Sequence, residues 1–299
     1  MHRSGFVTLV GRPNVGKSTL LNRLVGSKVS IVSNRPQTTR TEIRGVLTRP
    51  GSQVVFLDTP GIHKPRTQLG ERTNARALAT LAEVDVVVMV VEADAPIGRG
   101  DEFVARLVHR VETPSILVVN KVDRTGRAGV AERLATAEAR LGEFAAYVPI
   151  SARTGDGVDA LLAEIDARLP DGPRYYPEGV VTDQPETVLA AEMVREQLLR
   201  VARDELPHSI SVRAEELEAA DGRVAGDETP LRLRAVVAVE RESQKGMVIG
   251  KQGAVLKEAG TNARLALEAL LGRRVYLETT VTVERDWQRR SHMLDRFGY

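Results

Sequence analysis

A glycine-rich segment near the N-terminus constrains the fold more than any other feature of the chain. It reads Gly11-Arg12-Pro13-Asn14-Val15-Gly16-Lys17-Ser18 and matches the pattern G-x-x-x-x-G-K-[ST]. The apolar run Phe6–Val10 precedes it and a helical pattern with Thr19 in its first turn follows it, which is the context that supports this motif. Glycines let backbone N–H groups curve around phosphates, and the helix N-terminus adds partial positive charge. The segment therefore predicts a phosphate-binding loop.

A second polar segment predicts the metal and γ-phosphate side of the same site. Asp58-Thr59-Pro60-Gly61 directly follows the apolar run Val54–Leu57. We expect Lys17 to reach the β- and γ-phosphates and Ser18 to bind Mg²⁺. We expect Asp58 to hold the outer shell of that ion, and the N–H of Gly61 to contact the γ-phosphate. Lys17, Asp58 and Gly61 are thus predicted catalytic residues.

A third segment predicts which base is bound. Asn120-Lys121-Val122-Asp123 follows the apolar run Ile116–Val119. A carboxylate at Asp123 accepts two hydrogen bonds from guanine, whereas adenine offers no matching donors, and such a mismatch rejects an analogue by roughly 10⁴–10⁵-fold. Asn120 is expected to brace the loop and the Lys121 stem to cover the base. Backbone N–H groups of Ser151-Ala152 are expected to meet the guanine O6.

Hydrophobic patterning predicts two domains joined by a linker. Residues 1–170 alternate short Val- and Ile-rich runs with helical stretches, which predicts an α/β P-loop domain with a mostly parallel sheet and helices on both faces. Pro170-Asp171-Gly172-Pro173 ends this pattern, and we place a linker at residues 171–185. Residues 186–299 read as helix, two strands, helix, strand and a C-terminal helix near Trp287–Phe297, which predicts an α+β domain.

Composition and charge distribution exclude some kinds of site and leave others open. The chain has no cysteine, which excludes disulfides and thiolate chemistry and fits a reducing cytosol. Its longest apolar run, Val86–Val91, is far shorter than the roughly 20 residues of a spanning helix. Residues 204–228 carry eight acids and two bases, whereas residues 241–274 carry seven bases and three acids, so a local basic face is available.

The basic stretch contains a second glycine loop. Ile249-Gly250-Lys251-Gln252-Gly253 fits I-G-x-x-G between two helical stretches, which is the core of a KH domain. Such a loop clamps the sugar–phosphate backbone of about four nucleotides. The strand order resembles a type II KH domain, and Lys245 and Lys257 are close in sequence. We predict that these seven residues bind RNA.

Taken together, the nucleotide-site segments resemble the translation-factor-related GTPases. By analogy with such proteins, Gln37-Thr38-Thr39-Arg40 is the expected Mg²⁺ clamp; Thr39 is favoured over Thr38 as metal ligand and catalytic residue. Ile62 stands where Ras-like proteins carry a water-positioning glutamine, so slow intrinsic hydrolysis is expected. Related proteins use an asparagine at the place of Asn14 to hold K⁺; a purely loop-shaping role for Asn14 is an equal alternative.

Over nearly the whole chain the sequence is similar to the Era family. The resemblance rests on Asp58-Thr59-Pro60-Gly61-Ile62-His63, on Glu240-Arg241-Glu242-Ser243-Gln244-Lys245-Gly246 and on the tail from Trp287 to Phe297-Gly298-Tyr299. It implies a GTP- and GDP-binding switch that needs Mg²⁺, binds 16S-type rRNA near its 3′ end and acts in 30S subunit assembly and rRNA processing. It also implies a cytoplasmic protein, which we expect to be a monomer, with peripheral contact to the inner face of the cell membrane.

Two other functions are compatible with parts of this pattern. A GTPase that assists tRNA modification shares the nucleotide motifs but commonly carries a catalytic cysteine, which this chain lacks. A KH-type RNA chaperone with a vestigial nucleotide site is the non-enzymatic alternative. The intact Lys17, Ser18, Asp58 and Asp123 count against it.

Overall fold

The computed structural model describes residues 2–33, 42–62, 68–201, 209–217 and 229–297. The chain divides into two compact units. One comprises residues 1–66 and 70–183, and the other comprises residues 67–69 and 184–299. Among the described residues, no helix combines the length and the apolar character needed to cross a lipid bilayer.

The first unit is a six-stranded sheet with helices. Its strands are β1 (Arg3–Val10), β2 (Ile43–Arg49), β3 (Ser52–Asp58), β4 (Val86–Glu92), β5 (Ser115–Asn120) and β6 (Ala146–Pro149). Its described helices are α1 (Lys17–Val25), α2 (Gln68–Glu83), α3 (Arg99–Val108), α4 (Arg127–Leu141) and α5 (Val158–Asp166). The strand order is β2-β3-β1-β4-β5-β6, and β2 alone among these strands runs antiparallel to its neighbour. The predicted mostly parallel sheet is confirmed.

Strand β4 shows why these runs fold as internal strands. Its residues Val86–Val91 are all buried, so neither face of the strand meets water. Val87, Met89 and Val91 join an apolar cluster with side chains of α2, α3 and α4, while the alternate residues point to the opposite face. A Val-rich run without polar alternation is typical of a parallel strand covered on both sides.

The parallel strands bring the predicted motifs together. The phosphate-binding loop follows β1, Asp58 ends β3, Asn120 ends β5, and Ser151 comes two residues after β6. Parallel strands present their carboxyl ends at one edge of the sheet, and ligands of open α/β sheets bind there. Segments far apart in sequence therefore meet at this edge.

The segment predicted as a linker lies against the first unit over most of its length. The N–H of Val46 on β2 donates to the carbonyl of Val181 at 2.9 Å, and the hydroxyl of Thr182 donates to the carbonyl of Arg44 at 2.6 Å. The side-chain oxygen of Gln53 accepts the N–H groups of Tyr175 and Tyr176 at 2.7 and 3.0 Å. The bonds to Val46 and Arg44 cover the outer edge of β2, which would otherwise expose unpaired backbone groups, and those to Gln53 attach the segment to β3.

The second unit is a three-stranded sheet with helices. Its described elements are α6 (Glu186–Val201), β7 (Ser211–Glu216), β8 (Leu231–Val239), α7 (Glu242–Ile249), α8 (Ala254–Leu271), β9 (Val275–Val283) and α9 (Ser291–Arg296). The strand order is β7-β8-β9, with β7 antiparallel and β9 parallel to β8. The predicted α+β class is confirmed. Two helices, α7 and α8, flank the glycine loop between the second and third strands, as the I-G-x-x-G motif predicted, although the order of elements along the chain gave bounds only for the second of them.

Helix α7 forms where hydrophobic periodicity is too short to reveal it. The buried amide oxygen of Gln244 accepts the N–H groups of Glu240 and Arg241 at 2.9 and 3.0 Å, which satisfies backbone donors at the start of the helix. The amide nitrogen of Gln244 donates to the hydroxyl of Ser209 at 2.9 Å. One side chain thus caps α7 and ties it to the segment before β7.

The chain after β9 packs around a buried tryptophan. Trp287 is fully buried, and its indole N–H donates to the carbonyl of Ser209 at 2.9 Å. The Trp287 and Phe297 rings meet edge to face at 5.3 Å between centroids. The predicted terminal helix is a short turn at Trp287–Arg289 followed by α9. Gly298-Tyr299 lie outside the described residues.

Candidate functional site

The phosphate-binding loop folds around the amine of its lysine. Lys17 is buried, and its Nζ donates to the carbonyls of Gly11 and Arg12 at 3.1 and 3.0 Å. Burial lowers the pKa of Lys17 to about 8, and the negative charge of Asp58 offsets part of that effect. An anion placed at this loop would replace the solvation that the ammonium has lost.

Ser18, Ser30 and Asp58 form a cluster of oxygen donors beside the loop. The hydroxyls of Ser18 and Ser30 donate to Asp58 Oδ2 at 2.6 and 2.8 Å. Hydroxyl and carboxylate oxygens are the ligands that Mg²⁺ prefers, so this donor set fits the ion. Sequence reasoning identified Ser18 and Asp58 but not Ser30, because a serine in a polar loop carries no motif.

Asn120 fastens three segments of the site to one another. Its amide nitrogen donates to the carbonyl of Val15 at 2.8 Å, and its amide oxygen accepts the N–H of Ala152 at 3.0 Å. Gly16 has φ +101°, and a Cβ there would lie 2.3 Å from the Asn120 amide nitrogen. The bracing role predicted for Asn120 therefore corresponds to observed contacts, and it depends on a glycine at position 16.

Lys121 extends from the base side of the site back to the phosphate loop. Its Nζ donates to the carbonyl of Asn14 at 2.9 Å and pairs with the carboxylate of Glu92 at the end of β4. Lys121 and Asn14 both have left-handed backbones, with φ +68° and +67°. Such conformations in non-glycine residues carry strain and concentrate at functional sites.

Asp123 lies at the far end of the cleft with its carboxylate held by the loop after β6. The hydroxyl of Ser151 donates to Asp123 Oδ1 at 2.6 Å, and Arg153 Nη2 lies 2.7 Å from Asp123 Oδ2. The hydrogen bond from Ser151 lowers the pKa of Asp123; the charge of Arg153 acts in the same direction, and burial opposes both. The carboxylate is therefore ionised at neutral pH and able to accept N–H donors.

Asp58 and Ser151 are buried and are bonded to Ser18 and Asp123, which line one cleft of about 360 Å³. Its lining includes eleven predicted residues: Pro13, Asn14, Gly16, Lys17, Ser18, Thr19, Gly61, Asn120, Lys121, Asp123 and Ala152. Five lining residues escaped sequence reasoning: Ile31, Val32, Ser33, Arg124 and Arg153. The first three lie between α1 and the predicted clamp and belong to no motif of their own, and both arginines resemble ordinary surface charges.

Several other predicted residues support the cleft without lining it. The Arg12 guanidinium turns to Asp101 at 2.7 Å, and the Thr59 hydroxyl donates to the carbonyl of Leu9 at 3.0 Å. Ile62 is buried in the apolar cluster under α2 and α3, and its N–H donates to the carbonyl of Gly11 at 3.3 Å. The predicted clamp Gln37–Arg40, including Thr39, lies outside the described residues, as does His63.

The I-G-x-x-G loop connects α7 to α8 in the second unit. Gln252 and Gly253 have φ of +52° and +79°, and a Cβ on Gly253 would meet no atom within 4 Å. The side chains of Lys251 and Gln252 are exposed, and α8 begins directly after Gly253. The loop therefore offers open backbone and a helix N-terminus to an anionic chain.

A groove of about 320 Å³ continues from this loop between α8 and β9. Leu256 and Leu277 supply apolar surface, and Lys257 and Arg264 supply positive charge. Gly260, Thr261 and Thr279 complete it. Of the predicted RNA-binding residues, Gly253 and Lys257 line the groove and Gly250–Gln252 form the adjoining loop. Lys245 is half-buried on α7, and Ile249 ends that helix. The groove residues on β9 escaped prediction because strand patterning does not show which edge faces a helix.

Comparisons with known proteins extend over both units. A family model described as 50S ribosome-binding GTPase matches residues 6–121, and one described as KH domain matches residues 205–288. GTPase Era of Carboxydothermus hydrogenoformans is 47% identical over 298 residues, covering 100% of this chain and 98% of that protein. GTPase Era of Nocardioides sp. is 48% identical over 305 residues, covering 100% and 96%.

Two solved structures are also similar to this chain over nearly its whole length. A crystal structure of Era with MgGDPNP and nucleotides 1506–1542 of 16S ribosomal RNA is 40% identical to this chain, with a TM-score of 0.94 over 100% of this chain and 99% of that one. A crystal structure of a point variant of Aquifex aeolicus Era bound to GDP·AlF4⁻ is 39% identical, with a TM-score of 0.92 over 99% of each chain. The similarity covers both units and the connecting segment.

Proposed function

The chain belongs to the Era family of GTPases, and from this premise we propose that it is a GTP-hydrolysing switch that binds small-subunit rRNA near its 3′ end. One observation carries the proposal: a single chain presents a cleft suited to a guanine nucleotide and a GxxG groove suited to single-stranded RNA. The solved Era structure with MgGDPNP and a 16S rRNA fragment supports the same pairing of ligands.

Guanine recognition rests on Asp123 and the segments that hold it. The Asp123 carboxylate is ionised and accepts the guanine N1–H and 2-amino group, while Ser151 orients it. Both predicted donors to the guanine O6 have partners within the protein: the Ala152 N–H donates to the Asn120 side chain and the Ser151 N–H donates to the carbonyl of Asp156. Contact with O6 therefore requires one of these N–H groups to exchange its partner for the base.

Phosphate binding and hydrolysis depend on Lys17, Ser18 and Asp58. The buried Lys17 ammonium binds the β- and γ-phosphates. The hydroxyl of Ser18 would bind Mg²⁺, and the carboxylate of Asp58, which accepts from that hydroxyl, would hold the outer shell of the ion. When bound there, the ion neutralises charge that develops on the phosphate oxygens. The N–H of Gly61 contacts the γ-phosphate, and Thr39 completes the metal clamp. These assignments define the catalytic set.

Hydrolysis is slow in the isolated protein because the residue after Gly61 contributes no polar group. The Ile62 side chain is 1% exposed and packs into the core, so it neither orients nor polarises water. Asn14, in the cleft with a left-handed backbone, is the proposed site of a K⁺ ion that assists the reaction. Such an ion adds positive charge beside the phosphates, where charge develops in the transition state.

RNA binding uses the loop Gly250–Gly253 for the backbone and the groove beside α8 for the bases. Lys245, Lys251 and Lys257 neutralise phosphates. Leu256 and Leu277 provide the apolar floor against which unstacked bases lie. Binding of the 3′ end of small-subunit rRNA places the protein in 30S subunit assembly and rRNA processing. It acts in the cytoplasm as a monomer, with peripheral contact to the inner face of the membrane.

Nucleotide binding and RNA binding are coupled through the segments that respond to the γ-phosphate. In switch GTPases the γ-phosphate and Mg²⁺ order two segments. By sequence, the segments of this chain that would correspond to them are Gln37–Arg40 and Asp58–Gly70. Strand β2 begins just after the first of these segments, and residues 181–183 are bonded to β2. Movement of β2 is thereby transmitted to the residues that precede α6.

The test is a paired binding measurement on the full chain. We expect GDP and GTP to bind far more tightly than ADP and ATP, and an RNA with the sequence of the small-subunit rRNA 3′ end to bind more tightly than the same RNA with its terminal single strand shuffled. Equal affinity for guanine and adenine nucleotides would refute the nucleotide assignment. Equal affinity for both RNAs would refute the rRNA assignment and leave the GTPase assignment intact.

A further inference from the structure

Arg153 lies against the carboxylate that reads the base. Its Nη2 is 2.7 Å from Asp123 Oδ2, and both residues line the nucleotide cleft. The Asp123 side chain is 9% exposed, whereas the Arg153 side chain is 73% exposed. A solvated guanidinium thus covers one oxygen of a nearly buried carboxylate.

The backbone of Arg153 is held by Arg23, whereas its side chain is largely exposed and pairs with Asp123. Arg23 on α1 donates through Nε to the carbonyl of Ala152 at 3.2 Å, and its guanidinium also donates to the carbonyl of Arg153. Ser151 is anchored through its hydroxyl to Asp123. These contacts fix the loop and leave the exposed Arg153 side chain able to change rotamer without moving the main chain.

The two oxygens of Asp123 differ in what they accept. Oδ1 accepts the Ser151 hydroxyl. Oδ2 is buried and accepts no well-aligned hydrogen bond from the described residues; Arg153 contacts it as an ion pair. Guanine presents two adjacent N–H donors and needs both carboxylate oxygens. The base and the Arg153 guanidinium therefore compete for Oδ2.

We propose that Arg153 is a counter-ion gate of the base site, which pairs with Asp123 and swings toward solvent when guanine enters. The gate keeps a nearly buried carboxylate compensated, since an unpaired charge there is costly. It also sets a modest barrier to base entry. Exposed ion pairs are weak, so removing Arg153 should raise guanine affinity by about 1.5- to 5-fold.

The matched control is Arg124, a second arginine in the lining of the same cleft. Arg124 Nη1 lies 3.4 Å from Asp94 Oδ2. Arg153→Gln and Arg124→Gln each remove one positive charge from the cleft, so both weaken the attraction of anionic nucleotides to a similar extent. A difference between the two variants therefore isolates the contact with Asp123.

The experiment measures binding of guanosine, which carries no phosphate, and the association rate of a fluorescent GDP, in the full-length protein. We expect guanosine affinity to rise about 1.5- to 5-fold in Arg153→Gln and not in Arg124→Gln or Arg153→Lys. Fluorescent GDP should associate faster with Arg153→Gln than with Arg124→Gln. Added salt should raise guanosine affinity in the wild type and leave Arg153→Gln nearly unchanged, because screening weakens an exposed pair.

Two outcomes would overturn the gate. Unchanged guanosine affinity in Arg153→Gln would show that the ion pair does not compete with the base. Reduced affinity would show that Arg153 holds the bound base instead. The inference rests on the proposed guanine site. If the wild-type protein does not prefer GDP over ADP, the guanine site itself is refuted. If that preference is intact and guanosine affinity in Arg153→Gln is unchanged or reduced, only the gate is refuted.

Discussion

The guanidinium of Arg44 on β2 lies 3.3 Å from the carboxylate of Asp183, measured from Nη1 to Oδ2. Asp183 also accepts the Tyr176 hydroxyl at 2.6 Å, and Arg44 Nε lies 3.4 Å from Glu42 Oε1. Glu42 in turn accepts the Thr80 hydroxyl of α2 at 3.1 Å. A continuous polar chain therefore joins α2, the start of β2 and the last residues before α6.

Substitution of Arg44 tests whether this chain transmits the nucleotide state. In the wild type we expect a GTP analogue and GDP to give RNA affinities that differ by about 5- to 150-fold, as is typical of coupled sites. Arg44→Gln should reduce that ratio, because the side-chain link between β2 and Asp183 is lost, whereas the bonds of Val181 and Thr182 to β2 remain. RNA affinity is measured with a non-hydrolysable GTP analogue, with GDP and without nucleotide.

Arg49→Gln is the control for this measurement. Arg49 lies on the same strand and pairs with Asp166 at 2.7 Å, outside the polar chain. The Arg49→Gln variant loses the same charge as Arg44→Gln and should keep the wild-type ratio of RNA affinities in the two nucleotide states. An unchanged ratio in Arg44→Gln would remove this chain from the mechanism, and equal RNA affinity in all three wild-type nucleotide states would mean that the sites are not coupled.

Replacement of Asp123 tests base recognition. Asp123→Asn should weaken GTP binding severely and favour xanthosine triphosphate, because the amide supplies a donor where xanthine presents an acceptor. Loss of a buried polar match costs roughly 10⁴–10⁵-fold in discrimination. Competition binding with the two nucleotides measures the change. A variant that still prefers GTP over xanthosine triphosphate would contradict the assignment.

Potassium tests the role of Asn14 in hydrolysis. If Asn14 holds the ion, GTP turnover should be faster in potassium than in sodium salts of equal ionic strength, and Asn14→Ala should abolish the difference. Because the carbonyl of Asn14 accepts from Lys121, the variant's GDP affinity is measured alongside to separate loss of the ion from loss of the loop. Equal wild-type rates in both salts would exclude Asn14 from the reaction.

Gly253→Asp tests the GxxG loop. The substitution places a Cβ and a negative charge where a phosphate is expected, so RNA affinity should fall by at least about tenfold while GDP affinity is unchanged. Gly272→Asp is the control. Gly253 precedes α8 and Gly272 follows it, and Gly272 likewise has a positive φ, +67°, with open space around it. It carries a similar backbone cost far from the loop. Equal RNA affinity in the two variants would contradict the RNA assignment.

The lowered pKa of Lys17 predicts proton uptake on nucleotide binding. The amine has a pKa of about 8 before binding, and an adjacent phosphate favours its charged form and raises that value. Affinity should therefore fall as the pH rises above about 8, by up to about tenfold per unit, and should not change through Lys17 below about 7. Calorimetry in buffers of different ionisation enthalpy, near pH 7 and near pH 9, measures the uptake. Absence of uptake at the higher pH would contradict the prediction.

The sequence by itself determined the class of each unit and predicted the motifs that the fold brings to one edge of the sheet. Gly11–Ser18, Asp58–Gly61 and Asn120–Asp123 each follow an apolar run, and parallel strands place the ends of such runs at one edge of a sheet. These motifs could be predicted because each is contiguous and its proposed chemistry depends on local backbone shape. The GxxG loop was recognisable for the same reason.

Only the tertiary structure decided the contacts between segments far apart in the chain. The packing of residues 181–183 on β2, the hydroxyl of Ser30 on Asp58 and the Arg153–Asp123 pair all join residues whose separation leaves no periodic signal. The sequence of helix α7 shows no helical repeat of apolar residues. The helix is held instead through Gln244, whose side chain donates to Ser209, a residue that lies before β7. Local propensity and hydrophobic period describe neighbours along the chain. The exposed Arg153 and the buried Ser30 each acquire a role from the carboxylate that folding brings beside them.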